Sequence, residues 1–168
     1  MKQKLALACT LIHQPELIFL DEPTTGVDPV SRRDFWLILA DLLRRGITIV
    51  MATPYLDEAE RCHRVALLHE GKLLRCNAPR NIILELKGTH LEIICDRPRI
   101  AYLRMNEESR WASAQLFGER IHVLVGDPDV EMPILRDVIS STGAEEIEIR
   151  AITPSLEDAF IERIRQER

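Results

Sequence analysis

The sequence predicts an α/β fold in which a partial layer of strands and helices precedes a small α+β appendage. Three observations carry this. Leu17-Ile18-Phe19-Leu20 is a continuous apolar run of strand length, stopped by Asp21-Glu22-Pro23, as expected for a strand covered on both faces in a mostly parallel sheet. An amphipathic helical stretch and a second apolar run, residues 47–52, follow it; strand, helix, strand in that order implies a right-handed crossover. Beyond Gly88 the texture changes to short alternating strands and helices, which sets an expected boundary between residues 1–87 and 88–168.

The elements follow in chain order. Residues 2–13 read as a helix with Leu5, Ala8, Cys9 and Ile12 on one face. Asp28 before Pro29 supplies an N-cap and a first-turn proline. The helix they start groups Phe35, Ile38, Leu39, Leu42 and Leu43, with Arg44 and Arg45 at its dipole's negative end and Gly46 as its stop. A short acidic helix is expected at 57–62. Glu70-Gly71 reads as the turn of a hairpin between two apolar segments, and residues 79–87 as a helix. Leu91/Ile93, Ile121/Val123/Val125 and Ile147/Ile149 alternate with polar neighbours, as in half-buried strands. His90, Arg120 and His122 are expected to stand isolated and solvated on them. Residues 130–141 read as a helix grouping Ile134, Leu135, Val138 and Ile139, and a last helix starts at Thr153-Pro154 and buries Leu156, Phe160 and Ile164.

Composition narrows the function classes. The chain has 168 residues, 46% hydrophobic and 29% charged, a length that suits one domain or a modest domain with an appendage. With 22 basic and 27 acidic residues the net charge is −5, which does not describe a phosphate-tracking groove. Four Phe, two Trp and two Tyr are too few for a base-stacking platform. No nucleic-acid partner is expected. No apolar run approaches the roughly 20 residues of a bilayer span. Cys9, Cys62, Cys76 and Cys95 contain no C-x-x-C pair and read as reduced thiols. A zinc site from Cys62, His63, His69 and Cys76 fits no usual ligand spacing.

Asp21 and Glu22 are the sharpest local feature. Two acids leaving a buried strand sit at the carboxyl edge of a parallel sheet, where open α/β folds bind ligands. Phosphoryl transfer needs one acid for Mg²⁺ and a group to orient the attacking water, and consecutive residues leaving a strand point in different directions. By itself the pattern also fits a solvated acidic turn capping a helix.

The surrounding string, Leu17-Ile18-Phe19-Leu20-Asp21-Glu22-Pro23-Thr24-Thr25-Gly26-Val27-Asp28-Pro29, closely resembles the Walker B and D-loop of ATP-binding cassette (ABC) transporter ATPases. The resemblance spans residues 1–87 and implies the C-terminal portion of a P-loop NTPase sheet. It implies that Asp21 holds Mg²⁺ through water and that Glu22 is the catalytic base or water-positioning carboxylate. Gly26 and Asp28 would lie in the D-loop, touching an opposing ATPase unit. Residues 1–13 would be the helix after the Leu-Ser-Gly-Gly signature, its N-terminal end facing the partner's γ-phosphate.

Residues 88–168, through Thr153-Pro154-Ser155-Leu156-Glu157-Asp158-Ala159-Phe160, resemble the C-terminal extension of ATPases serving drug- and multidrug-export (ABC-2 type) permeases.

The sequence departs from the family twice. Gly71-Lys72-Leu73 does not complete G-x-x-x-x-G-K-[ST], and neither a Walker A, a Q-loop nor Leu-Ser-Gly-Gly is present. The chain is therefore expected to be the C-terminal portion of a longer ATPase, through an internal start, a truncated gene or a partial record. Alone it should not bind ATP tightly. Second, Thr53-Pro54-Tyr55 stands where the family reads Thr-His-Tyr, and Pro54 has neither a side-chain donor nor an N–H.

The resemblance implies an ATP- and Mg²⁺-dependent exporter subunit on the cytoplasmic face of the cell membrane. Its partners would be a membrane permease and a second ATPase unit, identical or not. The alternative is a non-catalytic cassette remnant with a regulatory or partner-binding role. A DNA-repair or chromosome ATPase would need long heptad arms, which these short helices do not provide.

Overall fold

The computed structural model describes residues 2–167, with side chains from Leu5 onward. It is a mixed α/β structure that divides into two compact units, residues 1–58 and 59–168. The expected change at residue 88 falls inside the second unit, which begins at Ala59.

In the first unit, α1 (Lys2–Leu11) precedes β1 (Leu17–Asp21), α2 (Pro29–Arg44), β2 (Thr48–Ala52) and the one-turn α3 (Leu56–Ala59). Strands β1 and β2 pair in parallel, from Leu17↔Thr48 to Asp21↔Ala52. The predicted cap forms: Asp28 Oδ1 accepts from the backbone N–H of Val30 at 3.1 Å and of Ser31 at 2.9 Å. Leu7, Ile18, Phe35, Leu39 and Leu42 form the buried core, with Leu20, Ile38, Ile49 and Met51 packed against it.

Three expectations are corrected in this unit. Helix α1 turns Leu7 and Leu11 inward, while Leu5, Ala8, Cys9 and Ile12 are exposed; two apolar stripes overlap on this short helix, and packing selects one of them. Strands β1 and β2 are covered on one face only, since Leu17, Phe19 and Val50 are exposed. The period-2 alternation puts Ile18, Leu20, Ile49 and Met51 on the helix side and the other residues outside. Leu43 of α2 is also exposed, beside a stripe that Phe35, Leu39 and Leu42 complete.

In the second unit, β3 (Val65–His69) and β4 (Lys72–Asn77) form the predicted hairpin. Its turn residues Glu70 and Gly71 have φ of 47° and 77°, the left-handed pair that a tight two-residue turn requires. Next come α4 (Pro79–Leu84), β5 (Thr89–Ile94), α5 (Pro98–Asn106), β6 (Gln115–Phe117), β7 (Arg120–Val125), α6 (Pro128–Ser140), β8 (Glu148–Ile152) and α7 (Leu156–Gln166). The last four strands form an antiparallel sheet in the order β6-β7-β5-β8. On one face Leu91, Ile93, Ile121, Val123 and Ile149 pack with Ala101, Met105, Trp111, Leu135 and Ile139.

The opposite face carries the polar positions, and there the expectation of half-buried strands fails for β5. His90 and Glu92 are as buried as their apolar neighbours, because α7 contributes side chains to that face too. The cap of α7 is Ser155 rather than Thr153-Pro154. Its hydroxyl accepts from the Asp158 N–H while the Asp158 carboxylate accepts from the Ser155 N–H, a reciprocal capping box. Leu156 and Ala159 are its buried apolar residues, whereas Phe160 and Ile164 are half-buried. Among the described residues no helix is long and apolar enough to cross a membrane.

Candidate functional site

Parallel pairing brings the C-terminal ends of β1 and β2 together, so Asp21 stands opposite Ala52, two residues before Pro54. The Glu22 N–H donates to the Ala52 carbonyl at 2.9 Å, extending the ladder one step. Glu22 itself has φ of 43°. This left-handed backbone turns the chain sharply off the strand and is uncommon for a non-glycine residue. Both carboxylates are exposed, and Glu22 Oε2 accepts from the Thr25 hydroxyl at 3.1 Å.

Two reverse turns follow, closed by Thr25 N–H to Glu22 O and by Val27 N–H to Thr24 O. Gly26 sits in the second at φ 71°, a conformation that favours glycine. Asp28 then caps α2, and the N–H groups of Ser31 and Val30 hold its carboxyl below the usual carboxylate range, Ser31 most strongly. Asp21, Glu22, Gly26, Asp28 and Pro54 are thus gathered at one end of the strand pair and the turn leaving it. Pro54 is exposed, at the exit from β2.

A group that sequence reading passes over sits behind these residues. Glu58 is fully buried, and its carboxylate joins three segments. Oε1 accepts from the Thr24 hydroxyl and from Arg32 Nε, each at 2.6 Å, and Oε2 accepts from the Thr53 hydroxyl at 2.9 Å. Burial pushes the Glu58 carboxyl up, but the bonds from Thr24, Thr53 and Arg32 outweigh it and hold the group ionised. Arg32 also lies over the Tyr55 ring at 4.9 Å. Glu58 reads in sequence as one more acid of a short acidic helix.

Nod factor export ATP-binding protein I of Burkholderia pseudomallei (strain K96243) is 35% identical over 167 residues, covering 96% of this chain and 51% of that protein. The protein of the same name from Rhizobium sp. (strain N33) is 34% identical over 165 residues, with 96% and 51% covered. The probable multidrug ABC transporter ATP-binding protein YbhF of Escherichia coli (strain K12) is 48% identical over 81 residues, 48% of this chain and 14% of that protein. The chain is a homologue of ABC transporter ATP-binding proteins. It spans about half the length of the Nod factor export relatives. No protein-family profile matches it.

Set against the ABC resemblance, the Walker B-like string is β1 with its exit, the D-loop-like string is the double turn and cap, and the switch position is the exit of β2. The expected signature helix, residues 1–13, is α1, with Met1 outside the described residues.

A second polar constellation corrects the expectation that His90, Arg120 and His122 are isolated and solvated: His90 is buried and His122 paired, while Arg120 is exposed as expected but not isolated. Glu92 accepts from Arg120 Nη1 at 2.9 Å and from Arg150 Nε at 2.8 Å, and His122 Nδ1 lies 3.0 Å from Asp158 Oδ1. Cross-strand register explains it, since Glu92 stands opposite both His122 and Arg150. Donating to the Asp158 carboxylate raises the His122 pKa, whereas burial lowers that of His90, whose Nδ1 has no hydrogen-bond partner among the described residues. The capping string Ser155-x-x-Asp158 is the one sequence signal that could have marked Asp158.

Among the described residues Cys9, Cys76 and Cys95 are free thiols. Among the described residues no group of three or more His, Cys, Asp or Glu side chains could hold a metal ion on its own.

Proposed function

We propose that this chain is the C-terminal portion of the ATP-binding, ATP-hydrolysing subunit of an ABC exporter, which energises transport through a separate membrane permease. Residues 1–87 form part of the ATPase domain, a P-loop NTPase layer, and 88–168 its C-terminal extension. The observation that carries this is the placement of Asp21, Glu22 and Pro54 at one carboxyl end of a parallel strand pair. That is where phosphoryl-transfer groups converge in such folds.

In this reading Asp21 is the metal residue. An exposed carboxylate suits Mg²⁺, which keeps several waters and takes one or two carboxylates beside substrate phosphates. Bound there, the ion would neutralise charge on the transferred phosphoryl group. Glu22 is the catalytic carboxylate: its left-handed backbone turns it away from the strand direction Asp21 ends, so that it can accept the proton of an attacking water. Gly26 and Asp28 face a second ATPase unit, homo- or heterodimeric, through the double turn. The subunit works at the cytoplasmic face of the membrane.

Pro54 supports a second reading, a cassette that binds or regulates without hydrolysing. It offers no donor to a γ-phosphate, so this site is slow or depends on an intact second site. ATP turnover of the complete subunit separates the two. Pro54→His is expected to raise turnover, or at least not abolish it, and Glu22→Gln in that restored protein to abolish it. Unchanged turnover in the double variant overturns the role given to Glu22.

A further inference from the structure

We propose that Glu58 is a positioning residue that couples the Asp21–Asp28 segment to the Thr53–Tyr55 segment, so that the carboxylate end and the switch end of the site move as one. This rests on the functional reading above. Three side chains from three segments converge on one fully buried carboxylate: Thr24, three residues after Asp21; Thr53, beside Pro54; and Arg32, from the first turns of α2. Thr24 is itself buried.

The geometry exceeds what tethering a four-residue helix requires. Each carboxylate oxygen serves a different segment, Oε1 the Thr24 turn and α2, Oε2 the strand exit. The Thr53 hydroxyl donates to Glu58 and accepts from the Tyr55 N–H at 3.1 Å, so the backbone around Pro54 is set by the same carboxylate. Glu22 N–H already bonds Ala52. Glu58 closes the second link of a ring whose first link is that ladder bond. A buried ionised group has few alternatives to its partners, so displacement of one segment must be answered by the other.

Two substitutions in the present chain test the coupling, read by amide hydrogen exchange at the far segment. Thr53→Val is expected to speed exchange at Thr25 and Val27 by tenfold or more. Thr24→Val should do the same at Tyr55, with α2 amides at Phe35–Leu42 unchanged in both. If each substitution loosens only its own segment, Glu58 is a structural plug and the proposal is overturned.

In the complete subunit carrying Pro54→His, Glu58→Gln keeps the side-chain volume. It should lower kcat at least tenfold while KM for ATP stays near its starting value. Loss of turnover in Glu22→Gln with unchanged kcat in Glu58→Gln overturns the positioning role alone. Full turnover in Glu22→Gln overturns the underlying reading of the site instead.

Discussion

Gly88 and Ser155 show how much a single position decides. Gly88 has φ 110°, and an added Cβ would stand 2.6 Å from the Val125 carbonyl oxygen, a backbone atom that cannot swing aside. Gly88→Ala is therefore expected to destabilise the chain by more than about 1 kcal/mol, by urea titration. Ser155 caps α7 through the reciprocal bonds with Asp158; Ser155→Ala should cost about 1 kcal/mol in the same measurement. Asp28 is legible as a cap from its sequence alone, because capping is a local bond between a side chain and amides two and three residues on. Glu58 is not, because its partners lie 34, 26 and 5 residues away.

At the scale of elements, α7 against the four-stranded sheet sets the pH response. Burial pushes the Asp158 carboxyl up, but His122 and Ser155 outweigh it and bring the group down to about 2. A depressed carboxylate contributes stability that is present above its unfolded value near 3.8 and is lost as pH falls toward 2. His122 runs the other way: its raised pKa gives stability that is full below 6.5 and is lost as pH rises through the folded value. His90 is depressed by burial, so the unfolded chain takes up its proton first and stability falls as pH drops below 6.5. The groups facing this pair are Asp158, Glu162 and Glu92, the last neutralised by Arg120 and Arg150. Melting temperature against pH is expected to lose its alkaline decline in His122→Asn and part of its acid decline in His90→Leu. An unaltered profile in either variant removes that histidine from the account.

At the scale of the whole molecule, the open face of β1 and β2 is the main departure from expectation. Phe19 is 73% exposed while its neighbour Ile18 is 2% exposed. In this chain Phe19→Ser is expected to change stability by no more than about 0.5 kcal/mol. Ile18→Ala should cost about 2–4 kcal/mol by leaving a cavity in a packed core. Similar losses for both would show that the outer face is covered. The chain alone is also expected to bind ATP weakly, checked by calorimetry, because its sequence has no phosphate-cradling glycine loop.

Local order was legible from residues alone: the strand–turn–helix–strand succession, the Asp28 cap, the Glu70-Gly71 hairpin and the carboxylate pair with its ABC resemblance. Each depends on neighbours within a few positions, or on a string whose chemistry requires those residue types. Tertiary structure decided which stripe of α1 is buried, which face of β1 is covered, and where Glu58, His90 and His122 find their surroundings. Those outcomes depend on surfaces brought together from distant parts of the chain. Burial turns an ordinary acid or histidine into a shared anchor only when its partners arrive, and periodicity does not encode where they come from.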